Sequence, residues 1–322
     1  MKNALLKEDS QFIRFRKKVV HILRYEKLRT LNLILLVFFG LALLYPLYYA
    51  IFGSISTKEE FAMATLIPIP HNAWNEFVTN YTLLFRASDS SILRSMGVTF
   101  LRMAWSFFIS TVTAVLGGFA FAKLHFPFKK PLFLFMLGTM MIPGVALMIP
   151  NYIWLTKFPL VGGNNILGEG GSGFVNNPLY LFATGWVGVY NIFLFRQAFV
   201  GIGGELMESA KIDGANLLRV IFTIYTPLVA PLIFVILLNS VTGIWSDYMT
   251  DIIYLPDNAA WWSLGRSTIW WADYYTNVNL SGGADYPKAF AVLVFMMIPP
   301  VILFIAVQRK FVAGLTAGAV KG

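Results

Sequence analysis

Six long apolar runs constrain this chain more than anything else in it. They cover residues 31–52, 103–122 (beginning near 97), 131–156, 179–195, 220–246 and 289–308, and each carries little or no charge. A bilayer core about 30 Å thick needs about 20 apolar residues per helix. The expected fold class is therefore all-α, a polytopic membrane protein with six transmembrane helices. Charged residues make up only 13% of the chain, against about 25% in soluble domains, which argues against a soluble globular protein. The absence of cysteine excludes a disulfide framework, a thiolate metal site and a cysteine nucleophile.

The distribution of charge orients the runs. Most of the 25 Lys and Arg fall in segments 1–30, 123–130, 196–219 and 309–322. The positive-inside rule puts these segments, and both termini, in the cytoplasm. Arg102 is the one basic residue left inside a span, and no acidic residue is placed inside one as a proton relay. The net charge of +9 then belongs mainly to inner loops rather than to nucleic-acid binding. Residues 1–30 mix Arg14, Arg16, Lys17, Lys18 and Arg24 with Phe12, Ile13, Val19 and Val20, a composition suited to an amphipathic helix on an anionic leaflet. The apolar run after it is longer than a signal-peptide core, so it reads as an uncleaved first span.

Several chemistries are excluded. His21, His71 and His125 are the only histidines, and none pairs with a carboxylate at metal-ligand spacing, so no metal site is expected. The glycine-rich run 162–173 lacks the Gly-Lys-Ser/Thr ending of a phosphate loop and reads as a flexible outer loop. Asp213-Gly214 and Gly243-x3-Asp247-x3-Asp251 echo the metal signature of membrane alcohol phosphotransferases, but the fifth span puts the two parts on opposite sides of the membrane. The outer segments 53–97 and 247–288 are aromatic, with Trp261, Trp262, Trp270, Trp271, Tyr274 and Tyr275 clustered in the second. An interfacial belt, a docking surface and sugar stacking are all open readings of that cluster.

One inner loop, 203–219, reads as a working part. Glu205 to Ile212 are mostly helix formers with Glu205 in the first turn, and Gly214 is placed to end the helix in a left-handed conformation. Leu206, Met207 and Ala210 fall within a turn of one another, forming an apolar knob for docking on another protein or for resting on the membrane.

Glu208-Ser209-Ala210-x2-Asp213-Gly214-Ala215, followed by Ile224, Pro227 and Pro231, resembles the "EAA" loop of importer-type ABC permeases. The run Phe119 to Pro127, Met141-Ile142-Pro143-Gly144 with Ile149-Pro150, and the ending Phe311 to Gly322 resemble the carbohydrate branch, of maltose-transporter type. Ser209 stands where that family usually has Ala, Gly203-Gly204 where it has Pro, and Ser246 where the branch often has Asn.

The resemblance implies a type I importer fold: a cytoplasmic segment 1–30, a permease domain 31–310 with its coupling loop at about 203–219, and a cytoplasmic tail 311–322. It implies a bacterial inner-membrane subunit that pairs with a second permease subunit. Two cytoplasmic ATPase subunits and an extracytoplasmic solute-binding protein complete such importers. ATP and Mg would be bound by the partner ATPase, with no cofactor in this chain and no enzymatic activity of its own. The substrate implied is a carbohydrate, and acidic sugars remain open. Glu205, Leu206, Met207, Glu208, Ser209, Ala210, Asp213, Gly214 and Ala215 would form the ATPase-coupling loop.

Polar residues in apolar spans are costly unless they face a cavity or a partner. Asn191, Asn239, Ser240 and Thr242 are therefore candidates for the translocation pathway, with helix–helix hydrogen bonding as the competing role. An ion-driven secondary transporter, an ABC permease for another solute and a membrane enzyme are the alternatives.

Overall fold

The structure is a computed structural model that describes residues 29–63, 66–86, 92–183, 185, 188–277 and 283–319; side chains are described for all of these but 83, 86 and 306–319. The basic segment expected at 1–30 lies outside these residues up to position 28, as do positions 320–322 of the tail. Every regular element among the described residues is helical, as the apolar runs predict.

The first described helix is α1 (Arg29–Ser54), apolar and almost entirely exposed. Two short helices follow, α2 (Lys58–Met63) and α3 (Ala73–Arg86), and then the central helix α4 (Ile92–Lys123). With 32 residues, α4 is about 48 Å long and so overshoots a bilayer core of about 30 Å. Next come α5 (Lys129–Thr139), α6 (Met148–Thr156), α7 (Tyr180–Ala183) and α8 (Val189–Val200). The coupling-loop segment forms α9 (Glu205–Ile212), followed by α10 (Leu217–Arg219), a π-helical stretch Val220–Tyr225, α11 (Thr226–Leu228) and α12 (Ala230–Trp245). The short α13 (Met249–Tyr254), then α14 (Leu264–Thr276) and α15 (Tyr286–Ala319) complete the order. The backbone of α15 runs without a break past position 311, where the tail was expected to begin.

Three helices are long and apolar enough to cross a membrane: α1, α4 and the 286–305 part of α15. Two bent helix pairs among the described residues reach that length and hydropathy only when their halves are taken together. The expected third span breaks after Thr139 and turns by 95° before continuing from Gly144. Pro143 sits at that break in extended backbone (φ −60°, ψ 133°), whereas Pro150 lies in the first turn of α6, where its missing N–H costs nothing. The expected fifth span is likewise two pieces meeting at 82° around Val229. Pro227 and Pro231 each remove a donor there, and the chain widens into the π-helical stretch before the bend. The fourth apolar run is divided into α7 and α8, and α8 alone is about 18 Å long. By length and composition the described residues thus supply three helices able to cross a membrane, and five if each bent pair is one span.

Packing is organised around α4. Its C-terminal part presses on α8 so closely that a Cβ at Gly118 would lie 2.6 Å from Cβ of Phe195 and 2.9 Å from the Arg196 nitrogen. Near one end of α4, Ala114, Val115 and Phe119 join Phe195, Phe199, Ala210, Val220, Tyr225 and Ile236 in one apolar core. Near the other end, Val98 belongs to a core with Leu155, Phe174, Tyr180, Tyr254 and Trp262, and Met103 to one with Trp245, Leu264, Trp271 and Val292. Trp262 and Trp271 are therefore interior side chains, which removes them from the belt and docking readings. The glycine-rich segment is also more built than a flexible loop. Asn164 is buried, donates to the carbonyls of Thr156 and Phe158 and accepts from the Gly171 N–H, while Gly162, Gly163, Gly168, Gly170 and Gly173 take positive φ.

Candidate functional site: a helix carried on the α4–α8 core

The α9 helix carries Glu205 and Glu208 in its first turn and Lys211 in its last, the charge order that the helix dipole favours. Gly214 ends it with φ +75°. The Gly214 N–H donates to the Lys211 carbonyl at 3.1 Å and the Ala215 N–H to the Ala210 carbonyl at 2.9 Å. These are the paired 5→2 and 6→1 bonds of a Schellman ending. Asn216 then caps the next helix, its Oδ1 accepting from the Arg219 N–H at 2.8 Å. That helix starts at Leu217, two residues beyond Ala215.

The expected apolar knob divides in two. Ala210 is buried in the α4–α8 core, and Met207 and Ala215 rest against it. Leu206 stays exposed, together with Glu205, Glu208, Ser209, Lys211 and Asp213, and Ile212 is 87% exposed. One face of α9 therefore anchors the helix, and the other presents two aliphatic side chains among charges. Lys123, the last residue of α4, donates through Nζ to the Ile202 carbonyl, and its ammonium lies over the Tyr225 ring at 5.9 Å. The Tyr225 hydroxyl donates to the Gly203 carbonyl at 3.3 Å. Residues 202–203, which lead into α9, are thus tied to the end of α4 and to the π-helical approach to α12.

The four candidate pathway residues do not form one cluster. Asn239 and Thr242 lie with Gly243 and Ser246 on an exposed face of α12, whereas Ser240 turns into the protein. The Thr242 hydroxyl donates to the Leu238 carbonyl of its own helix at 2.9 Å. Asn191 is half-buried on α8 beside Gly188.

At the far end of α4 the structure contains a charge cluster that the sequence reading did not assemble. Arg102 is 6% exposed; its Nη2 donates to Asp247 Oδ2 at 2.6 Å, and its Nη1 lies 3.6 Å from Asp251 Oδ1. Asp251 is fully buried and accepts from the Ser263 N–H at 2.5 Å. Burial pushes its carboxyl above the ordinary carboxylate value, while Ser263 and Arg102 pull the other way. Ser263 Oγ donates to the Asp247 carbonyl, the Leu264 N–H to Thr99 Oγ1 at 2.7 Å, and Ser95 and Ser267 share a hydrogen bond. Arg102 therefore fastens α4 to the α12–α13 corner and α14. A signal for it existed: a lone basic residue in a span needs a counter-charge, and Asp247 and Asp251 stand four apart just past another span. No group of His, Cys, Asp and Glu among the described residues could hold a metal.

Comparison with known proteins gives this arrangement its context. The family described as "Binding-protein-dependent transport system inner membrane component" matches residues 114–316. The melibiose/raffinose/stachyose import permease protein MelC of Bacillus subtilis (strain 168) is 28% identical over 86% of this chain and 91% of its own length. The galactooligosaccharides transport system permease protein GanQ of the same organism is 28% identical over 90% of this chain and 94% of its own length. Among solved structures, a chain of a bacterial ABC transporter involved in the import of the acidic polysaccharide alginate superposes with a TM-score of 0.68, 22% identity and coverage of 88% of this chain and 95% of that one. A second structure, of the alginate ABC transporter in complex with alginate pentasaccharide-bound periplasmic protein, gives 0.58 at 16% identity, covering 89% and 96%. At these identities the likeness speaks for the fold. The chain belongs to the family of inner-membrane components of binding-protein-dependent transport systems.

Proposed function

We propose that this chain is one of two different permease subunits in an ATP-driven importer and forms half of the pathway for an oligosaccharide. The α9 helix carries the reading. It is a capped helix with one face rooted in the core of the spans and the other offering Leu206 and Ile212 among charges, as helix-in-groove docking requires. In this reading Glu205 to Ala215 couple the subunit to a cytoplasmic ATPase, which binds ATP and Mg and performs the hydrolysis. Closure of the ATPase moves α9, and the rigid links through Lys123 and Tyr225 carry that motion to α4, α8 and α12. The exposed stripe Asn239–Thr242–Ser246 of α12 faces the pathway, and Asn191 and Ser240 support it from within the subunit.

The full topology belongs to the same proposal. It has six spans with both termini cytoplasmic, the fourth assembled from α7 and α8 and the third and fifth bent. The segments 1–30 and 311–322 then lie on the inner side and 31–310 forms the permease domain. An extracytoplasmic solute-binding protein delivers the substrate at the opposite end. The names of the relatives MelC and GanQ, both oligosaccharide importers, support a carbohydrate.

The test is Glu208→Lys combined with Asp213→Ala in the transporter assembled with its partners. All these side chains are exposed, so insertion is expected to be normal while uptake and substrate-stimulated ATP hydrolysis are lost. Unchanged uptake and hydrolysis would refute the coupling assignment.

A further inference from the structure

A cavity of about 590 Å³ lies at the end of the molecule away from α9, where α6, α7 and α13 meet the Arg102 region of α4. Its size is within the usual range for small-molecule sites, about 300–1,000 Å³. Trp154, 59% exposed, supplies an apolar face at the rim, and Asn151 and Thr250 supply amide and hydroxyl groups. Two polar side chains on its wall are more than nine-tenths buried and incompletely partnered. Tyr180 is 1% exposed, is stacked on Tyr254 at 4.3 Å, and has no hydrogen-bond partner for its hydroxyl among the described residues. Arg102 Nη1 is likewise without a hydrogen bond. The Tyr180 hydroxyl opens on the cavity with no protein partner there, so a ligand or water in the cavity is what pairs with it.

The charge balance selects the ligand. Among the described residues Arg102 is the only charged one lining the cavity, and Asp247 and Asp251 already face its guanidinium. A carboxylate or phosphate entering here would meet an arginine whose charge is spent on two aspartates, with net repulsion from the pair. A neutral, hydroxyl-rich group meets no such penalty and satisfies Tyr180, Asn151 and Thr250 while covering Trp154.

We propose that this cavity is a site for an uncharged sugar unit, supplied by this chain. The site rests on the carbohydrate reading above and adds a place and a charge preference to it. The experiment uses the complete transporter in lipid nanodiscs without binding protein, probed by saturation-transfer NMR with neutral trisaccharides (raffinose and maltotriose) and with trigalacturonic acid. A neutral trisaccharide is expected to bind and the acidic one not to. Trp154→Ala and Tyr180→Phe should each weaken binding about tenfold, the loss of one good contact. In proteoliposomes with binding protein, the same variants should raise the half-saturating concentration for uptake more than they lower its maximum.

Tyr180→Phe keeps the stacked ring and Trp154 is exposed, so neither substitution threatens the fold. Preferential binding of trigalacturonic acid, no binding of any sugar, or neutral-sugar binding unchanged in both variants would overturn the site. So would loss of the second permease subunit from the Trp154→Ala complex with sugar binding intact, which would make the cavity a subunit contact. ATP-driven uptake confined to a solute with no sugar moiety would instead overturn the carbohydrate reading itself.

Discussion

Gly214 gives the sharpest single-residue test of how α9 works. Its φ of +75° lies in the left-handed region, and no atom is within 4 Å of the place a Cβ would occupy. Alanine there meets no clash, so its whole effect is conformational, about 1–2 kcal/mol for an L-residue in that region. That reduces the preference for the capped ending by about 5- to 30-fold. It also weakens the two hydrogen bonds from the Gly214 and Ala215 N–H groups to the Lys211 and Ala210 carbonyls, which close the end of α9 and set the direction of the chain leaving it. Asparagine tolerates the same backbone conformation far better.

Gly214→Ala and Gly214→Asn are compared in proteoliposomes that contain the partner subunits and binding protein, with solute uptake and phosphate release read in parallel. Uptake per ATP is expected to fall several-fold in the alanine variant and to be largely recovered in the asparagine variant. Full coupling with alanine, or equal failure of both variants, would refute the reasoning that the left-handed ending positions the helix.

Other consequences concern the framework. Gly118→Val puts side-chain atoms where even a Cβ lies 2.6 Å from Phe195, an overpacking that should cost about 1–3 kcal/mol or more; a lowered unfolding temperature of the solubilised chain checks this. Arg102→Leu leaves Asp251 buried without its counter-charge and should destabilise by about 3–5 kcal/mol, whereas Arg102→Leu with Asp251→Asn should recover part of that loss. Thermal unfolding of the single and double variants tests it, and a double variant no better than the single would contradict the pairing.

What could be read from the sequence follows the range of the forces involved. Apolar runs and Gly214 are local signals, and they located α1, α4, α15 and the ending of α9. Two prolines in one run looked alike, but only Pro143 falls at a break; Pro150 sits in a first helical turn, a difference set by where α6 begins. Which side of α9 faces inward depends on Phe199, Tyr225 and Phe119, distant in sequence, and so Met207 and Ala210 read as part of a knob for docking or for resting on the membrane, whereas they pack into the core. Trp262 and Trp271 carried an interfacial composition, and only the packing of Trp262 among α4, α6, α7 and α13, and of α14 on α4 and α15, shows them to be core. The link from Arg102 to Asp247 and Asp251 spans nearly half the chain, beyond any periodicity or spacing rule.

The central claim is that this chain converts ATPase closure into solute entry through α9. Its most direct measurement is uptake by proteoliposomes that hold the chain, its second permease subunit, the ATPase pair and the binding protein, with ATP supplied or withheld and the membrane ion gradients collapsed by ionophores. Uptake is expected to require both ATP and binding protein and to persist without any gradient. Uptake that continues without ATP and stops when the gradients collapse would contradict the claim.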